Sequence, residues 1–110
     1  MPYITNTREE IIAERKRLKA EYRELFDEVS KLLFQHDPIG INFEDNTDEY
    51  EPEVGTILPK LRNCESPEDV RKMVHQEFTS WFGASTAGPE EHYSKIATEI
   101  WEYWQRFNVI

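Results

Sequence analysis

Tyr93, Ile96, Ala97, Ile100, Trp101, Trp104 and Phe107 stand at offsets of 0, 3, 4, 7, 8, 11 and 14 along the chain. That spacing follows the 3.6-residue helical turn and predicts an amphipathic α-helix whose apolar stripe needs a core to face. The pattern recurs upstream. Ile11, Leu18, Tyr22, Leu25, Phe26, Val29, Leu32 and Leu33 recur at spacings of three, four and seven, which predicts one long helix over residues 7–35. Thr7 is its expected N-cap, with Glu9 and Glu10 in the first turn, and Asp37, Pro38 and Gly40 end it. No series of alternating β-branched segments joined by hairpin turns competes; the weak candidate is Gly40 to Phe43, "GINF".

Two shorter helices are expected between these. One starts near Glu51 and Pro52, proline being suited to a first turn that needs no amide from it, and buries Val54, Ile57, Leu58 and Leu61. The other has the sharpest boundaries in the chain. Ser66 as N-cap, Pro67 at the first position, then Glu68 and Asp69 open it; Val70, Met73, Val74, Phe78, Trp81 and Phe82 share a face; Gly83 stops it. The small, polar "GASTAGPEEH" reads as a loop. The fold class expected is therefore all-α: a single domain over residues 1–110, with four helices in a small bundle or orthogonal array. The first helix is long, and a long acidic loop follows it.

Three Trp, six Phe and five Tyr give such a domain bulky side chains for its interior. The single Cys64 cannot form an internal disulfide, which suits a reducing compartment. "MPYITNTREE" lacks the basic and apolar regions of a signal peptide, and no apolar run approaches the ~18 residues of a membrane span. A cytoplasmic location is expected.

Charge is unevenly distributed. Residues 1–35 carry seven cations and seven carboxylates, whereas residues 36–110 carry six and fifteen, so the whole net charge of −9 lies after the first helix. Such a surface repels phosphate, which argues against nucleic acid and anionic membranes and favours a basic protein partner. The densest part, "HDPIGINFEDNTDEYEPEV", holds seven carboxylates and no Lys or Arg. It lacks the oxygen, glycine and glutamate order of an EF-hand loop. A looser divalent site at Asp45, Asp48, Glu49 and Glu51 competes with simple solvation, and charged loop residues are ordinarily solvated.

Other chemistry finds little support. His36, His75 and His92 lie in separate segments without zinc spacing, and each reads as a surface or boundary residue. Nothing brings Cys64 to a base, and there is no GxxxxGK[ST] or GxGxxG sequence. No catalytic residue, cofactor or metal ligand is assigned. The aromatics of the last two helices read as core; Tyr103, off the Trp101 and Trp104 stripe, is the one expected at a surface.

The segments "HDPIGI", "DEYEPEV" and "EFTSWFG", within residues 36–83, resemble the small bacterial family typified by the Bacillus YugE protein. The resemblance implies an all-helical orthogonal array and no established activity, and it carries over no functional residues. The reading that results is an interaction module for a basic partner, in one version immunity- or antitoxin-like. Its contact residues would be Asp45, Asp48, Glu49, Tyr50, Glu51 and Tyr103. The alternative is a small-molecule or divalent-cation binder using the loop 37–53. The thin apolar stripe in the first half of the long helix adds the expectation of a homodimer through it.

Overall fold

The computed structural model describes the backbone of residues 8–40 and 50–108. Every regular element among them is helical: α1 (Arg8–Tyr22), α2 (Glu24–His36), α3 (Glu51–Ile57), α4 (Pro67–Phe82), α5 (Ala84–Ala87) and α6 (Ser94–Asn108). Two 3-10 turns, Leu58–Asn63 and Glu90–Tyr93, run directly out of α3 and into α6. The all-α expectation holds. Four helices with a long first one do not match, and the differences have local causes.

The expected 7–35 helix is two helices. Arg23 breaks it with φ 51° and ψ −123°, a conformation that strains a bulky L-residue by ~1–3 kcal/mol. Neither glycine nor proline marks the spot. The bend is imposed by burial: it folds α1 back so that Leu18 and Tyr22, 5% and 4% exposed, reach the core. Burying two such side chains is worth ~1.5–3 kcal/mol each, enough to offset the strain. Leu18 meets α3 at Gly55, where a Cβ would lie 3.4 Å from Leu18 Cδ1, and the Tyr22 ring lies 6.0 Å from that of Phe107 on α6. The expected Thr7 cap lies outside the described residues, as does "GINF" beyond Gly40.

Pro59 explains why α3 tightens into a 3-10 turn, since it has no N–H to donate to the carbonyl four residues back. For α4 the boundaries fall where the sequence puts them. Ser66 Oγ accepts from the Asp69 amide at 3.2 Å, Pro67 opens the helix, and Gly83 ends it at φ 86°. The "GASTAGPEEH" loop is corrected: it contains α5 and the second 3-10 turn, with Ala87 fully buried. Alanine and short polar residues form a helical turn readily once glycines on both sides, Gly83 and Gly88, take the positive φ that separates it from its neighbours.

The helices α2, α3, α4 and α6 form a closed ring, each packed on the next, and α1 lies outside it against α2 and α3. Phe26, Tyr50, Val54, Phe78, Tyr93 and Ile100 are fully buried at its centre. Phe78 is the hub of the aromatic cluster, with ring centroids 6.0 Å from Tyr50, 5.3 Å from Tyr93 and 5.8 Å from Phe82. One core assignment needs correction. Trp81 is 45% exposed, its indole donating to Thr56 Oγ1 at the rim of α3. Trp101, Trp104 and Phe107 pack against the core but are only half-buried, Phe107 lying against the Tyr22 ring at 6.0 Å. No helix among the described residues is long and apolar enough to cross a membrane.

Candidate functional site

The acidic connection leaves α2 through a turn that the fold holds from three sides. Asp37 takes φ 47°, its amide donating to the Leu33 carbonyl at 2.8 Å, and the Gly40 amide donates to the Asp37 carbonyl at 3.1 Å. From across the connection the Tyr50 hydroxyl donates to Asp37 Oδ1 at 2.7 Å and accepts weakly from the Ile39 amide at 3.4 Å. His92 Nε2–H donates to the Pro38 carbonyl at 2.8 Å, joining this turn to the one before α6.

That second turn presents Glu90 and Glu91. Arg71 Nε donates to Glu90 Oε2 at 2.8 Å and so ties it to the first turns of α4, where Glu65, Glu68 and Asp69 stand. Segments far apart in sequence thus meet at one edge: the 37–40 turn, the Glu90–Tyr93 turn and the start of α4. Arg71 pairs with Glu90 between the last two, whereas Asp69 and Lys72 line a groove with Lys60 and Cys64. Asp69 is partly occupied, its Oδ2 accepting from the Glu65 amide at 2.9 Å. Glu65, Glu68 and Glu91 are exposed and form no ion pair among the described residues.

The expected contact residues fare differently. Asp45, Asp48 and Glu49 lie outside the described residues. Tyr50 is corrected: it is fully buried, its ring in the aromatic cluster and its hydroxyl bound to Asp37, so it offers nothing to a partner. Glu51 is turned inward and held by Lys19 Nζ at 3.2 Å and Arg15 at 3.8 Å, which spends its charge on docking α1. Tyr103 is half-buried against the core, with the Arg106 guanidinium 4.9 Å over its ring. Among the described residues no hydrogen bond or ring contact joins Tyr103 to Glu65, Glu68, Glu90 or Glu91, and the large aromatic exposed among them is Trp81. Glu65, Glu68, Glu90 and Glu91 were not singled out from sequence. Their signal was the −9 excess itself, and only the Arg71 contact ties one of them, Glu90, to another segment.

The remaining titratable groups are structural. His36 Nε2 lies 2.9 Å from Glu99 Oε2, and His75 Nε2–H donates to the Gly88 carbonyl at 2.9 Å, so each histidine joins two segments. Lys60 Nζ holds the buried Glu77 carboxylate at 2.5 Å. Burial, with the Asp69 carboxylate nearby, pushes the Cys64 thiol up, the opposite of an activated nucleophile. Tyr93 is pushed up to about 12 by burial, and its hydroxyl donates to the Ala87 carbonyl at 2.5 Å. No group of three or more His, Cys, Asp or Glu among the described residues is placed to hold a metal ion. The described residues line grooves open to solvent, one between His36 and Lys95, one beside Cys64, one at Trp101 and Trp104. No family model matches the chain, and neither a curated protein nor a solved structure matches it.

Proposed function

We propose that this protein is an interaction module that acts in the cytoplasm and binds a basic protein partner along the edge formed by the 37–40 turn, Glu90 and Glu91, and the start of α4. The observation that supports the reading is that Glu65, Glu68 and Glu91 are exposed and form no ion pair among the described residues, in a chain of net charge −9. Their negative field speeds the encounter with a positive surface and loses its reach in salt. An immunity- or antitoxin-like role, masking a cationic surface of a toxin, is one concrete form. Kinship with the YugE-like family over residues 36–83 belongs to the same proposal and brings no activity with it.

The test compares the chain with a Glu65→Lys, Glu68→Lys, Glu91→Lys variant as bait in host extract at low and high salt, helicity being checked by circular dichroism. A protein with a basic surface is expected on the parent at low salt, lost at high salt and lost on the variant. Capture of the same proteins by both baits would refute the assignment of this edge.

A further inference from the structure

Three observations meet at Arg23. A bulky residue occupies a positive-φ conformation; α2 begins there with no side-chain cap on its first amides; and the stripe Leu18, Tyr22, Leu25, Phe26, Val29, Leu32, Leu33 keeps helical register through the break. A continuous helix would remove the strain and give those amides their i−4 carbonyls. It would also carry α1 away from its own α3, exposing Leu18 and Tyr22 and leaving Glu51 without Lys19 and Arg15.

We propose that the chain forms a dimer by exchanging α1: Arg23 straightens, α1 and α2 become one helix, and each α1 docks on the α2–α3 surface of a second copy. The surface fits this occupant because it already holds the same residues within one chain. Leu18 would sit at Gly55, and Lys19 and Arg15 would meet Glu51, as they do now. Contacts of α1 are conserved in number and kind, while the hinge strain and uncapped start are lost; the intramolecular arrangement keeps the advantage of proximity at low concentration. The inference rests on α1 and the hinge, independently of the acidic edge.

Sedimentation equilibrium of the full chain tests it. A monomer–dimer equilibrium is expected. Arg23→Gly should raise its dissociation constant at least about tenfold, because glycine relaxes the bent form and disfavours the straight helix. Arg23→Ala, strained in the bend and favoured in a helix, should leave it unchanged or tighter. A chain that is monomeric at its highest soluble concentration, or an Arg23→Gly variant that dimerises as tightly as the parent, overturns the proposal. Exchange is separated from side-by-side pairing by a Leu18→Cys, Gly55→Cys pair in a Cys64→Ser background. Oxidation of the dimer fraction should give covalent dimers on a non-reducing gel; intramolecular links alone in that fraction also overturn it.

Discussion

At the scale of single residues, the chain uses its polar side chains to fasten turns. Tyr93 shows how a buried phenol does this and what it costs at high pH. Burial withdraws water from the hydroxyl, which donates to the Ala87 carbonyl, and that desolvation makes the folded group ionise near about 12 rather than 10. The folded chain therefore binds more protons than the unfolded chain between those values. The contribution is complete below about pH 10 and is lost as pH rises through about 12. Urea unfolding followed across this range should show stability falling, and Tyr93→Phe should fall less steeply. His36 and His92 stand at or beside helix boundaries as their sequence context suggested, whereas His75 lies within α4; the partners Glu99, Gly88 and Pro38 were not legible, since each lies on another segment.

At the scale of helices, the local signals and the tertiary demands can be separated. Ser66, Pro67 and Gly83 delimit α4 by backbone chemistry alone, and there sequence and structure agree. Gly55 in α3 is different, because its reason lies in another helix. It faces Leu18 of α1, leaving no room there for a large side chain, yet glycine within a helix costs ~0.5–1 kcal/mol relative to alanine. At 3.4 Å an added Cβ would make ordinary contact with the flexible end of Leu18. Gly55→Ala should therefore raise the unfolding free energy by ~0.5–1 kcal/mol in denaturant titration, whereas Gly55→Leu should lower it by displacing α1.

At the scale of the whole molecule, α6 closes the ring between α2 and α4, and Ile96, Ala97 and Ile100 are its buried contacts. Ile100 is fully buried, so Ile100→Ala removes packing from both neighbours at once. A loss of ~2–5 kcal/mol is expected from chemical denaturation, a large part of the ~5–15 kcal/mol typical of a domain. The same substitution at Trp104, half-buried at the open end of the helix, should cost less. The ring also decides which charges are spent inside the molecule. Glu51 and Glu77 hold cations from other elements, while Glu65, Glu68 and Glu91 face water.

The sequence by itself determined that the described chain is helical, where α4 and α6 run, and that the charge excess lies after the first helical segment. Hydrophobic period, capping residues and net charge are properties of neighbouring residues, and need no knowledge of what packs where. The tertiary structure alone decided that the first helix bends at Arg23, that Tyr50 is interior, that Trp81 is not, and that Glu90 pairs with Arg71 of α4. Each of those is a choice between burying one side chain and exposing another. That choice depends on surfaces contributed by distant segments, so no local pattern encodes it.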